Sequence, residues 1–215
     1  MFPYTAEVLA AAVAGYNADY WLAAALAPLV LGGALWLAAY PKPGGTRLIG
    51  LLLAAAWAWV GGVFHLQVFS VINFMAPVYA LMFLAQAGLL LWLMAVRRAV
   101  VFERTGGWPR RIGVAFALFA LVGQPIVALL LGGPIGSVRL AGVAPGPTAL
   151  LTLALLIMSS GRASLALAVI PMLWCAAAGA TGLLLGVAED QGLVVVAAAA
   201  GAALIATRGR PRTGV

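Results

Sequence analysis

The run LIGLLLAAAWAWVGGVFHLQVF, Leu48–Phe69, holds no lysine, arginine, aspartate or glutamate across its 22 residues. As a helix it rises about 1.5 Å per residue, about 33 Å in all, enough to cross a hydrocarbon core of about 30 Å. Backbone groups in lipid must bond within their own segment, so an apolar run of this length is read as a helix. A barrel strand would instead alternate apolar and polar residues over about ten positions. Comparable runs lie on either side: Trp21–Tyr40, Met75–Val96, Ile112–Leu131, Thr148–Met158, Ala163–Leu185 and Gly192–Thr207. The expected fold is an all-α polytopic bundle with about seven spans, forming a single transmembrane domain over 1–215.

The composition agrees. Of 215 residues, 65% are hydrophobic and 8% charged, and the mean hydropathy is +1.12. A soluble domain carries about 25% charged residues to cover its surface. Thr5 to Tyr16, before the first span, is predicted to be a short interfacial helix. Thr5 serves as its N-cap and Glu7 complements the dipole in its first turn. It leads into the aromatic cluster Tyr16, Tyr20 and Trp21, a type of cluster enriched at headgroup level. With Glu7 and Asp19 and no basic opening segment, this N-terminal region is expected to be retained rather than cleaved.

Net charge is +7 and the pI about 10.5. Alternate connections on one side hold Lys42, Arg47, Arg97, Arg98, Arg104, Arg110, Arg111, Arg162, Arg208, Arg210 and Arg212, eleven of the twelve basic residues. The other side holds only Arg139. Basic loops stay cytoplasmic, so the N-terminus is expected outside and the C-terminus inside. The charge is therefore assigned to the bilayer and to anionic lipids at the cytoplasmic face, with no nucleic-acid partner.

Few residues can carry chemistry. His65, the only histidine, shares a helix face with Trp57 and Gly61. It reads either as a proton carrier or metal ligand, or as an interfacial histidine bonded to a loop. Glu189 and Asp190 open the last span, where they either join a site or simply complement the helix dipole. They are, with His65, the candidate metal ligands. Gln86 and Gln124 each bring an amide that must be satisfied between helices. Pro125 and Pro171, the latter near Trp174, each free a carbonyl one turn earlier. In Gly142–Thr148 the prolines Pro145 and Pro147 are expected to hold off helix until Thr148. The fifth span is then only half-length, and its free N–H groups form a potential anion site if the loop dips into the membrane.

Several classes are excluded. No lysine lies in a span, which rules out a retinal Schiff base, and no acid lies at the bilayer centre as a proton pump would require. P-loop, Gly-x-Ser-x-Gly and His-Glu-x-x-His patterns are absent. The single cysteine, Cys175, forms no intramolecular disulfide. No cofactor is specified.

Tyr16-Asn17, Trp57-x-Trp59 with His65, Ile72-Asn73, Gly142-Val-Ala-Pro-x-Pro-Thr148, Pro171-x-x-Trp174 and Gly186-Val-x-Glu189-Asp190-x-Gly192 together resemble an uncharacterised bacterial family of small multi-pass membrane proteins. It is a domain-of-unknown-function family, and the similarity runs from about Phe2 to about Ala206. The resemblance implies a bacterial cytoplasmic (inner) membrane location and supplies no activity. Members often carry cysteine between the two prolines, where this chain has Gly146, which removes a thiol from that position.

Three functions fit these residues. The first is a protein that binds or transports a small molecule or ion through an outward-facing polar pocket. His65, Trp57, Gln124, Pro145, Pro147, Thr148, Trp174, Glu189 and Asp190 are the ligand-binding candidates. The second is a membrane-embedded enzyme using His65 with Glu189 or Asp190. The third is a non-catalytic partner subunit, or an oligomer, docking through Gly/Ala-rich faces.

Overall fold

The computed structural model describes residues 4–102, 107–161 and 163–208, with backbone only at 188–190 and 207–208. Its described residues are overwhelmingly helical. Helix α1 is Ala6–Asp19, capped by Thr5, whose hydroxyl oxygen accepts from the Val8 N–H at 3.4 Å. Leu9, Val13 and Tyr16 form its one buried stripe. The spacing of four and then three is that of a helix lying on a surface. Helices α2 (Trp21–Ala39), α3 (Gly45–Val71), α4 (Ala76–Val96) and α5 (Trp108–Leu130) follow. Then come α6 (Pro145–Met158), α7 (Ala163–Leu185) and α8 (Ala188–Arg208).

Five of these helices, α2, α3, α4, α5 and α7, are long and apolar enough to cross a membrane; α6 and the apolar part of α8, Gln191–Ala206, are shorter. Large apolar side chains point outward along them, among them Leu29, Leu81, Leu183, Leu184 and Val195. A water-soluble monomer rarely exposes contiguous apolar patches beyond a few hundred Å².

Helix α6 sits in the middle. Every residue from Pro145 to Ile157 is buried, and α2, α3, α5, α7 and α8 all pack against it. This explains how a helix of 14 residues, about 21 Å long, exists in such a bundle. It is enclosed by protein, so its ends need not match the bilayer. At one end a two-residue antiparallel clip joins Val101–Phe102 to Ser159–Ser160. At the other end the chain enters from an irregular loop, a type of backbone tolerated at membrane depth only when buried in protein.

One sequence expectation is corrected here. Helix α6 starts at Pro145, not Thr148. The first turn has no intrahelical use for its N–H groups, so prolines at its first and third positions are accommodated and pre-set the backbone. Helix α7 is ended by Gly186. Gly186 has φ +72° with open space around it, and the Val187 N–H bonds the Gly182 carbonyl at 2.9 Å. This is a left-handed helix stop. Tight helix packing occurs between α5 and α6. A Cβ on Gly113 of α5 would lie 2.8 Å from the Ala154 carbonyl oxygen of α6.

Three helices contain wide, i→i+5 turns. In α5 the wide turn Phe119–Gly123 comes just before Gln124-Pro125. It relieves the clash of the proline ring with the carbonyl four residues back. In α3 the wide segment Val60–Val68 contains Gly61, Gly62 and His65 and has no proline to explain it. Such segments are frequent at functional sites.

Candidate ligand cavity at one end of the bundle

The end of the bundle away from the arginine-rich connections is organised by polar side chains of α1. The Tyr16 hydroxyl donates to the Val143 carbonyl at 2.9 Å and accepts from the Trp59 indole N–H at 2.7 Å. The Asn17 amide donates to the carbonyls of Gly136 and Val138 at 2.7 and 2.8 Å. These bonds fix the loop between α5 and α6 from both sides of Arg139. Further along, the Thr148 hydroxyl accepts from the Gly142 N–H at 2.8 Å and donates to the Ala144 carbonyl at 2.6 Å. Gly142, at φ +94°, sits where a Cβ would come within 2.7 Å of Ala27. The path of the loop into α6 is thus specified residue by residue.

Beneath this loop is a cavity of about 80 Å³. Tyr4 and Leu9 close it from the N-terminal segment, Phe64 and Phe69 from α3, Asn73 from the turn into α4 and Tyr79 from α4. Arg139, Pro145 and Gly146 come from the loop and the start of α6, and Trp174, Ala177, Ala178 and Thr181 from α7. Five of these side chains are aromatic. Asn73 is held in place because its side-chain oxygen accepts from the Met75 N–H at 2.9 Å. Arg139 is the one ionisable charge among the described lining residues.

Behind the aromatic wall lies His65, with no exposed surface at all. The rings of Phe83, Trp174, Phe64, Phe69 and Tyr79 surround it at centroid distances of 4.8, 5.1, 5.2, 5.8 and 5.8 Å. Neither His65 nitrogen has a hydrogen-bond partner among the described residues, nor has the Trp174 indole N–H beside it. More than nine in ten buried polar groups are satisfied. Two adjacent orphaned side chains, Trp174 on the cavity wall and His65 directly behind it, are therefore an unusual chemical feature among the described residues.

The other candidates are distributed as follows. Pro145 and Trp174 line the cavity, whereas Pro147 and Thr148 are buried in the first turn of α6 and do not. The two prolines also reduce the anion-binding capacity expected of this helix start. Pro145 and Pro147 carry no N–H, and the Thr148 N–H bonds Ala144 at 3.3 Å, which leaves Gly146. Trp57 is away from the cavity. Its indole N–H donates to Thr152 at 2.8 Å and its ring packs on Phe83. Gln124 is half-buried on α5, outside the lining, with its side-chain oxygen unpartnered. Gln86 donates to the Leu167 carbonyl at 2.8 Å.

The side chains of Glu189 and Asp190 lie outside the described residues. The Leu193 side chain, one turn further on, reaches the cavity-lining Gly146, where an added Cβ would meet its Cδ1 at 3.2 Å. Among the described residues no group of three His, Cys, Asp or Glu is placed to hold a metal ion. Sequence reasoning passed over Phe64, Phe69 and Tyr79. The first two flank His65 at one and four residues' distance, and that flanking was the available signal.

Several apolar helices wrapped around a buried short one, with a cavity at one end, define a multi-pass membrane-embedded protein. Over residues 6–213 the chain matches the model described as a family of unknown function (DUF6064), and it belongs to that family. No curated protein and no solved structure matches it.

Proposed function

We propose that this is a seven-span protein of a bacterial cytoplasmic membrane, N-terminus outside, that binds a small amphiphilic molecule in its outer cavity and passes it on. One observation carries the reading. A partly open aromatic cavity bearing Arg139 is backed by Trp174 and His65, whose buried polar atoms lack partners among the described residues. A guest whose polar end reached this wall would supply the acceptor that the Trp174 N–H lacks. Orientation is supported by the distribution of basic residues, and the bacterial membrane by the resemblance of the motifs.

Size narrows the ligand. An apolar cavity of about 150 Å³ admits benzene, and this one is about 80 Å³. By proportion its enclosed part holds about three or four non-hydrogen atoms, and the cavity is partly open, so a ligand's longer apolar tail extends from its mouth. At a ceiling of about 1.5 kcal/mol per atom, such a ligand binds at micromolar strength or weaker. Arg139 favours an anionic end and the aromatic walls an apolar body, which together describe a short monocarboxylate. Calorimetry of purified protein with acetate, propionate and butyrate, each against its neutral amide, tests this. Saturable binding of an acid at least tenfold stronger than its amide, lost in Arg139→Gln, is the expected result. Equal binding of acid and amide, or none of either up to tens of millimolar, overturns the reading. Uptake into proteoliposomes separates transport from binding alone.

A further inference from the structure

At the opposite, arginine-rich end, α2 and α5 lie side by side. The Arg110 guanidinium stacks over the Tyr40 ring, 5.3 Å from its centroid, and the Tyr40 ring in turn packs on Trp36 at 4.4 Å. Two grooves meet at this arginine. One, of about 280 Å³, runs between the helices along Gly32, Leu35, Trp36 and Ala39. The other, of about 530 Å³, runs down α5 along Val114, Ala115 and Leu118, with Arg111 beside Arg110 at its mouth. Arg110 and Val114 border both. Among the described residues neither Arg110 nor Arg111 has a carboxylate partner. Gly32 opens the far end of the first groove, where an added Cβ would meet nothing within 4 Å.

We propose that this junction is a binding site for one anionic two-chain phospholipid. Its phosphate lies at Arg110 and Arg111, with one acyl chain in each groove. Charge and shape both select this occupant. Two adjacent cations at the mouth of apolar channels match an anionic headgroup joined to hydrocarbon. Two channels diverging from one cation match a lipid with two tails. From Tyr40 to Gly32 the first groove descends eight residues, about 12 Å, close to the depth of one leaflet's hydrocarbon, about 15 Å. A free phosphate would use the arginines and leave the grooves empty. The site is distinct from the cavity at the other end of the bundle, and neither reading depends on the other.

Native mass spectrometry of the full-length protein in detergent, titrated with phosphatidylglycerol or phosphatidylcholine, tests the site. One phosphatidylglycerol should be retained at least tenfold better than phosphatidylcholine. Each of Arg110→Gln and Arg111→Gln should weaken retention about fivefold, the effect of one basic residue near a lipid surface. Gly32→Leu leaves the charge untouched and fills the groove, so it should also weaken retention several-fold. Elution of each variant as a single species on size exclusion verifies that it is folded. Equal retention of the two lipids overturns the proposal, as does an unaltered Arg110→Gln variant. Loss in the arginine variants with none in Gly32→Leu, or displacement by millimolar inorganic phosphate, reduces the site to a surface charge and overturns it as well.

Discussion

Replacing His65 with phenylalanine should make the protein more stable and less functional. The imidazole is wholly buried and neither nitrogen is bonded among the described residues. A neutral imidazole carries one donor and one acceptor, and each left unmet costs about 1–3 kcal/mol. Phenylalanine removes both while keeping an aromatic ring among the five that surround His65 at 4.8–5.8 Å. Its slightly larger ring returns part of that gain through overpacking, about 1–3 kcal/mol. The net expectation is a stabilisation of about 1–3 kcal/mol. In a chain of this length that raises the thermal midpoint by roughly 5 °C, at about 2–4 °C per kcal/mol. The midpoint of His65→Phe against wild type in the same detergent measures it, alongside ligand binding by calorimetry, which should fall at least tenfold. A midpoint lowered by several degrees would refute the reasoning, because it would mean that the imidazole has partners that hold it. Unchanged ligand binding in the stabilised variant would show that the unsatisfied histidine serves no site.

Other outcomes follow from the same geometry. Thr148→Val strips the hydroxyl that serves Gly142 and Ala144 and should cost about 2–4 kcal/mol, read as a lower midpoint, while Thr148→Ser should stay near wild type. Gly113→Ala forces a Cβ against the Ala154 carbonyl oxygen and should destabilise by about 1–3 kcal/mol; Gly15→Ala, in open space, should be neutral or stabilise by up to about 1 kcal/mol. Burial pushes the Tyr16 phenol up to about 12. With an unfolded value near 10, its stabilisation is complete below about pH 10 and lost as pH rises towards 12, so Tyr16→Phe should flatten the alkaline fall of a midpoint-against-pH curve. Reporter fusions after Asn17 and after Val215 should score on opposite sides of the membrane, and matching sides would sink the orientation.

Much of the helical framework was legible because lipid imposes one rule, long apolar runs, which Leu48–Phe69 and Ala163–Leu185 obey within a few residues. Thr5 was readable as a cap for the same local reason. Helix α6 was misread at its start because proline was weighed as a helix breaker, whereas position within the first turn decides its effect. Its short length was visible, but its enclosure by five neighbours depends on helix order around the bundle, which periodicity does not encode. The site was legible in the same partial way. Chemistry singled out His65, Trp174 and Pro145. The aromatic wall from Phe64, Phe69 and Tyr79 needed the wide turn of α3 and the approach of α4, both set by tertiary packing.

The most direct test of an outward-facing ligand cavity is thiol labelling of Ala178→Cys, a lining position on α7, in intact cells with a membrane-impermeant maleimide. The native Cys175 is buried, and the wild-type protein provides its baseline. Labelling from outside, slowed by butyrate and not by butyramide, is the predicted result. Labelling only from the cytoplasmic side, or at a rate that butyrate leaves unchanged, would contradict it.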